Sequence, residues 1–380
     1  MKILILADPL SIHTLRWANS LNKRGIEIVV FGLTSYNPSD YCNTIKVYSH
    51  ITSAKTISKG NGSIYKITYL KSLSKLKKII SEFNPDVLHS HYASSYGLLG
   101  ALTNFHPFII SVWGADVFNF PKQSLLHKKI FNYSLSKADK ILSTSKMMVK
   151  EIKKYSSNSV EVIPFGVDLE IFKPQKIKSL FDENDIVLGT IKSLEDKYGI
   201  DFLIKSFKKL KEKFPDHPLK LLIVGGGSQE KKLKELVQVL KISADVVFTG
   251  LVNHKETPRY HNMLDIALFL SIEKSESFGV SVIEASACEK PVIVSNIGGL
   301  PEVVENNVTG IVVEPKNIEQ ISQAIEKLIF NKELRKQLGK NGRERVKKLY
   351  DWNNNLNQME EVYKKISPNF INNLNSVNAR

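Results

Sequence analysis

The chain has 380 residues, 42 % of them hydrophobic, 24 % charged and 9 % aromatic, proportions that exclude a disordered chain and a small disulfide-stapled scaffold. At about 100–200 residues per domain, the length predicts two domains, each able to bury its own core. Lys and Arg number 53 against 38 acidic residues, a formal charge of +15, which fits phosphate-bearing or anionic-surface partners and equally fits solubility alone. The excess is uneven: residues 1–170 carry 21 basic and 11 acidic side chains, and residues 171–380 carry 32 and 27. Cys42 and Cys288 are the only cysteines, too few for a disulfide framework or a cysteine metal site, and they fit a reducing cytosol. The apolar run in Met1-Lys2-Ile3-Leu4-Ile5-Leu6-Ala7-Asp8 is far shorter than a signal h-region, and nothing approaches the roughly 18 apolar residues of a membrane span. The expectation is a protein neither exported nor integral to a membrane.

Along the chain, apolar runs alternate with helical patterns, as in parallel sheets covered on both faces. The first series of runs falls at residues 3–7, 27–31, 86–89, 108–113, 140–142 and 160–163, with helical patterns at 14–23 and 71–83 among them. The second falls at 186–191, 220–224, 246–249, 266–270, 291–294 and 310–313. Most runs are continuously hydrophobic, as strands buried on both faces are. Breakers from Pro164 to Pro174, then a polar stretch to Asp185, predict a linker. The expected division is 1–172, 173–350 and a C-terminal helix and tail over 351–380 that packs back on the first domain, the last 14 residues being a loose, Asn-rich tail. Ligands of doubly wound sheets bind at the carboxyl ends of the strands, so the loops there are where chemistry is sought.

After the run at 266–270 comes Ser275-Glu276-Ser277-Phe278-Gly279-Val280-Ser281-Val282-Ile283-Glu284. Gly279 at a helix start would leave the amides around Phe278–Val280 pointing at an anion with the positive end of the helix dipole. Glu276 before the helix and Glu284 inside it are acceptor-only groups suited to vicinal hydroxyls, as in a sugar or a ribose. Lys192 and Lys197, in the loop after 186–191, could neutralise a diphosphate leaving group without a metal. Gly225-Gly226-Gly227 and Gly298-Gly299-Leu300-Pro301-Glu302 also follow strands and permit close backbone approach to a ligand. Each piece alone is also what a solvated surface or an ordinary strand-to-helix turn would show.

As a set, Glu276-x7-Glu284, the Lys192/Lys197 loop, Gly225-Gly226-Gly227, Phe248-Thr249-Gly250, Pro291-Val292-Ile293 and Gly298-Gly299-Leu300-Pro301-Glu302 resemble the retaining glycosyltransferases of family 4. Their order and spacing match over about residues 160–315. Looser matches precede them in Asp86-Val87-Leu88-His89-Ser90-His91, Trp113-Gly114-Ala115-Asp116 and Ile163-Pro164-Phe165-Gly166-Val167-Asp168. The resemblance implies the GT-B fold: α/β, two Rossmann-like doubly wound domains facing across a cleft.

It also implies residue roles. Lys192, where many members have Arg, and Lys197 would hold the donor diphosphate. Glu284 would bind the nucleotide ribose, and Glu276, with Ser277, Phe278, Gly279 and Val280, the transferred sugar; Gly225 would line the same donor site. Glu276, Lys197 and Lys192 would be the catalytic set, with no metal and no cofactor. The departing nucleotide diphosphate takes the acceptor proton on the same face, so no protein nucleophile is required. On the acceptor side the candidates are His13, His91, Trp113 and Asp116. Here the chain departs from the pattern: Asp8-Pro9-Leu10-Ser11-Ile12-His13 stands where many members have a Gly-rich loop, and Trp113 where many have His. His13 or His91 is the candidate to take over part of that histidine's role. Glu289 stands where the family usually has Gly, in an expected surface turn.

The expected function is transfer of a sugar from a nucleotide-diphosphate sugar to a glycan or lipid-linked acceptor in cell-surface polysaccharide synthesis. The alternatives are a nucleotide-sugar epimerase and a non-catalytic nucleotide-sugar-binding subunit. No Asp-x-Asp of a metal-dependent transferase, Gly-x-Gly-x-x-Gly or P-loop occurs. The lysines lack interleaved aromatic platforms, which argues against a nucleic-acid partner. Residues 122–154 hold nine Lys against Asp139 and Glu151, and the stretches 125–135 and 147–155 are amphipathic enough to lie on an anionic bilayer or to be ordinary packed helices. Localisation is expected to be cytoplasmic, with peripheral contact at the inner leaflet.

Overall fold

The computed structural model describes residues 1–50 and 69–367; apart from Ser367, the Asn-rich tail read from the sequence lies outside them. The chain divides into two compact units, Met1–Pro164 with the chain from Asn355, and Phe165–Asn354.

In the first unit seven parallel strands run in the order β3-β2-β1-β4-β5-β6-β7. They are β1 (Lys2–Leu6), β2 (Glu27–Gly32), β3 (Lys46–Ser49), β4 (Val87–His91), β5 (Phe108–Val112), β6 (Lys140–Ser143) and β7 (Val160–Val162). Ile3 is in register with Ile28 on one side and Val87 on the other, so β1 has strands on both edges as well as helices over both faces. Its Ile3, Leu4, Ile5 and Leu6 are fully buried, which is why the segment reads as an unbroken apolar run. Only β3 has no counterpart among the runs read from the sequence. Lys46-Val47-Tyr48-Ser49 is a short edge strand that is nowhere fully buried, so its residue choice carries no core signal.

The second unit repeats the winding with six parallel strands, in the order β10-β9-β8-β11-β12-β13. These are β8 (Ile186–Ile191), β9 (Leu219–Val224), β10 (Val246–Gly250), β11 (Ile266–Phe269), β12 (Val292–Ser295) and β13 (Gly310–Val313). Leu188 pairs with Leu221 and with Ile266 over a core that includes Phe207, Leu210, Ile325 and Leu328.

The chain leaves the first unit at Pro164, earlier than the expected 172, and rejoins it at Asn355, later than 350. The reason is local pairing. Val167 bridges Asp351 and its N–H donates to the Tyr350 carbonyl at 2.8 Å, while Phe165 lies edge-on to Phe278. Breakers mark where a chain can turn, whereas the division follows what the turning residues pack against. The helix Trp352–Ile366 is held in the first unit by Arg24, paired with Glu360 at 2.8 Å, and by Tyr363, whose hydroxyl is 2.7 Å from His89 Nδ1.

Two expectations for the surface change. The helix Lys146–Ile152 buries Met148 and Ile152, with Met147 and Tyr155 against the same core. The apolar side of the stretch 147–155 is therefore committed to packing and is not available to a bilayer. Glu289 is exposed at the end of the helix Val280–Ala287, with φ +58°, the left-handed position that terminates helices and favours Gly.

Candidate active site

In the second sheet the strand order reverses between β8 and β11, which pair directly. That reversal is where doubly wound sheets take their ligands, and the two loops leaving it carry Lys192 with Lys197 and Glu276. Beyond β8, Lys192 N–H still donates to the Val224 carbonyl and Leu194 N–H to the Gly226 carbonyl, both at 2.9 Å. A Cβ on Gly225 would lie 2.0 Å from the Lys192 carbonyl oxygen. The close approach expected of these glycines is thus made to the neighbouring loop, and it fixes where Lys192 stands.

Lys192 Nζ is 2.9 Å from Glu276 Oε2 and 4.3 Å from the centre of the Tyr198 ring. The Ser271 hydroxyl donates to the same Glu276 oxygen at 3.1 Å. Burial works against the ammonium charge, but Glu276 and Tyr198 outweigh it and raise the Lys192 pKa. Lys197 Nζ is 4.9 Å from the same ring, and the Lys197 carbonyl accepts the Ile272 N–H at 2.8 Å, tying the two loops together. Behind Glu276, Gly299 N–H donates to its carbonyl at 2.8 Å, and a Cβ on Gly298 would lie 1.9 Å from that oxygen. The Gly298-Gly299 pair is therefore a backing for the 276–277 backbone.

Gly279 caps the helix Val280–Ala287 with φ +103°, and both Val282 and Ile283 N–H turn back to its carbonyl. The helix therefore starts where the spacing predicts it, directly after Ser277, Phe278 and Gly279. The Phe278 ring is buried edge-on between Phe165 and Tyr350, so this residue presents backbone and not side chain.

Glu284, deeper in that helix, is buried. Its Oε1 lies 2.8 Å from His254 Nε2 and its Oε2 3.6 Å from His261 Nε2. Burial alone would raise this carboxyl, yet the His254 hydrogen bond and both imidazoles hold it down at about 2. At 3.6 Å the His261 contribution is Coulombic, since neither of its ring nitrogens has a hydrogen-bond partner among the described residues. His254, His261, Tyr198 and Ser271 were not among the sequence candidates. The one available signal was Asn253-x-x-Glu256, a capping box that fixes a helical turn around His254 just after a strand.

The first sheet reverses between β1 and β4, and the sequence candidates His13, His91 and Trp113 gather there. The Trp113 ring centre is 4.4 Å from that of His91, 5.6 Å from His13 and 5.4 Å from Tyr92. Strand alternation puts His89 and His91 on one face, ring centres 4.8 Å apart. His89 is bracketed by Tyr363 and by Ser111 Oγ at 2.8 Å. Burial lowers His89 to about 3, and burial with the neighbouring His89 and His13 puts His91 well below the usual range. Both are neutral imidazoles near pH 7. Backbone amides reach both oxygens of Asp116: Ala93 N–H at 2.9 Å on one, Gly114 at 2.9 Å and Trp113 at 3.2 Å on the other. It is a brace between the loops after β4 and β5. Burial raises its pKa and the three amides partly offset that.

Among the described residues no group of three His, Cys, Asp or Glu side chains could hold a metal ion, and no helix is long and apolar enough to cross a membrane.

Known proteins resemble the chain over both units. The model of the glycosyl transferases group 1 matches residues 172–345, and that of the glycosyl transferase 4-like domain matches residues 2–145. An uncharacterized glycosyltransferase of Methanocaldococcus jannaschii is 30 % identical over 350 residues, covering 90 % of this chain and 91 % of its own. The capsular polysaccharide biosynthesis glycosyltransferase CapM of Staphylococcus aureus is 32 % identical over 210 residues, covering 55 % of this chain and 53 % of its own. A sucrose-phosphate synthase of Thermosynechococcus elongatus shares the fold, with a TM-score of 0.83 at 20 % identity over 96 % of this chain and 99 % of its own. The chain belongs to the glycosyltransferases, of the family 4 type with the GT-B fold. It is an enzyme of the hexosyltransferase kind.

Proposed function

We propose that this enzyme moves a hexosyl group, with retention, from a nucleotide-diphosphate sugar to a glycan or lipid-linked acceptor in cell-surface polysaccharide synthesis. What carries the reading is the strand reversal between β8 and β11, which brings Lys192, Lys197, Glu276 and the mouth of the helix Val280–Ala287 to one end of one sheet. Lys192 and Lys197 hold the diphosphate, Glu276 the migrating sugar and Glu284 the ribose. The bond from the anomeric carbon to the phosphate oxygen breaks, a bond to the acceptor oxygen forms, and the acceptor proton passes to the departing phosphate. Lysines and helix amides take the developing charge, so no divalent ion is needed. His91 and Trp113, with His13 edge-on, form the acceptor-side wall.

Calorimetric titration separates the two glutamates. Glu284→Ala is expected to weaken binding of the bare nucleotide diphosphate as well as the full donor, because both contain the ribose. Glu276→Ala is expected to leave nucleotide diphosphate affinity nearly intact while lowering transfer. Equal losses in the two variants would show the pair to be misassigned. Release of nucleotide diphosphate only when acceptor is added, in EDTA throughout, sets a transferase apart from an epimerase and from a binding subunit.

A peripheral contact with anionic membrane, at the inner leaflet of a cytoplasmic enzyme, is supported by the start of the helix Leu125–Lys137. There Leu125 is 80 % and Leu126 50 % exposed, beside exposed Lys122, Lys128 and Lys129. Failure to co-float with phosphatidylglycerol vesicles at low salt would remove that contact.

A further inference from the structure

We propose that His254 is a positioning residue of the donor site, its Nε2–H holding the Glu284 carboxylate in the one orientation that receives the vicinal hydroxyls of the donor ribose. This rests on the assignment of Glu284 to the ribose.

A glutamate on a helix has three rotatable bonds, and freezing such a side chain costs up to about 2 kcal/mol. A ligand that had to order Glu284 would lose that much affinity, whereas here the ordering precedes binding. Glu284 is ionised and can only accept, so the proton at the 2.8 Å contact sits on His254 Nε2. That donor occupies one lone pair of Oε1 and leaves the others for hydroxyl donors.

His254 is itself fixed at every level. It opens the turn His254–Glu256, where the Asn253 side chain accepts the Lys255 N–H at 3.0 Å and the Glu256 carboxylate accepts the Asn253 N–H at 3.4 Å. The Thr257 hydroxyl donates to the His254 carbonyl at 2.8 Å. The buried Phe172 ring lies 5.6 Å from the His254 ring and 6.0 Å from that of His261, and the Phe172 carbonyl is held by Arg343 at 3.2 Å. A capped turn, a ring wedge and an arginine clamp converge on one imidazole nitrogen. His261, fully buried and 3.6 Å from the other oxygen, sets the field there without a hydrogen bond.

The test uses the full chain and whichever of UDP, GDP or ADP binds the wild type most tightly. His254→Ala is expected to raise the calorimetric Kd about ten- to a hundredfold, the size of a lost hydrogen bond to a charged group. His254→Gln, which returns an N–H donor near the place of Nε2, is expected to recover to within about threefold of wild type. Combined with Glu284→Ala, His254→Ala is expected to add nothing beyond Glu284→Ala alone. In turnover, the donor KM rises more than kcat falls, because the ribose is held alike before and during transfer. If His254→Ala melts too low to titrate, His254→Leu against His254→Gln asks the same question with the volume kept. Equal Kd values for Leu and Gln would overturn the proposal. A Kd unchanged in His254→Ala but raised in Glu284→Ala overturns it while leaving the ribose assignment standing. A Kd unchanged in Glu284→Ala brings down that assignment and the proposal together.

Discussion

The two units set their histidines on opposite electrostatic terms. His89 and His91 sit among a tyrosine, a serine and a tryptophan, with no carboxylate in hydrogen-bond contact among the described residues, and burial keeps them neutral. His254 and His261 flank Glu284, which stays ionised because they are there. Lys192 and Glu276 extend the contrast, being an ion pair at 2.9 Å inside the second unit. The same winding thus supports a neutral, aromatic strand end in one unit and a charge-compensated one in the other. The difference tells which sites lose stability and which lose chemistry when a single group is removed.

The largest effect is expected at Lys192. Lys192→Ala strands Glu276, so stability should fall by about 3–5 kcal/mol, as when one partner of a buried pair is removed. Its kcat should fall roughly 100- to 1,000-fold from the lost leaving-group contact. Lys197→Ala removes a cation held over an aromatic ring and no ion pair among the described residues, so a comparable loss of kcat should come with a melting temperature close to wild type. Thermal melts beside steady-state kinetics check both, and a Lys192→Ala protein as stable as wild type would show that the pair is not a unit.

In the first unit the equivalent test is Asp116, where the loss is structural. Asp116→Ala leaves three backbone amides without their acceptor and should cost about 2–4 kcal/mol in denaturant unfolding, with Asp116→Asn costing less because one oxygen remains. A variant that lost turnover with full stability would return Asp116 to direct contact with substrate.

The last comparison needs no substitution and is a difference in acid response. The unfolded chain protonates His89 and His91 below about pH 6.5 and the folded chain does not, so the first unit loses stability as pH falls below that, by up to about 1.4 kcal/mol per pH unit for His89 down to its folded value of about 3, with His91 adding in the same direction. Glu284 runs on a lower window, its folded value depressed to about 2. Its contribution is intact above the ordinary value near 4.5 and fades only below it. Hydrogen exchange at pH 5 should therefore show β4 and β5 less protected than at pH 7, with the helix Val280–Ala287 unchanged. The reverse order would break the comparison.

Much of this was legible in the chain because burial writes itself as unbroken apolar runs, as in Ile3-Leu4-Ile5-Leu6, and because Glu276-x7-Glu284 straddles a helix start that Gly279 announces. Edge strand β3 was not, since Lys46-Val47-Tyr48-Ser49 is nowhere fully buried. Nor was the partnership of His254 and His261 with Glu284, which joins a turn after β10 to a helix after β11 and exists only once the sheet has folded. Asp116 was placed at the correct end of its sheet, but no spacing reveals that three backbone amides share it. Gly225, Gly227, Gly298 and Gly299 were read as making room for a ligand, and a Cβ on any of them would meet neighbouring backbone.

The ion pair between Lys192 and Glu276 also bears on how a donor arrives. A cation already matched by a carboxylate at 2.9 Å projects little field into solvent, so under the proposed donor assignment Lys192 would contribute little to long-range capture of an anion and would act after arrival, by exchanging one counter-ion for another. Attraction at a distance then falls to half-exposed Lys197 and the helix mouth. The salt dependence of the association rate should follow Lys197, and the dissociation rate Lys192.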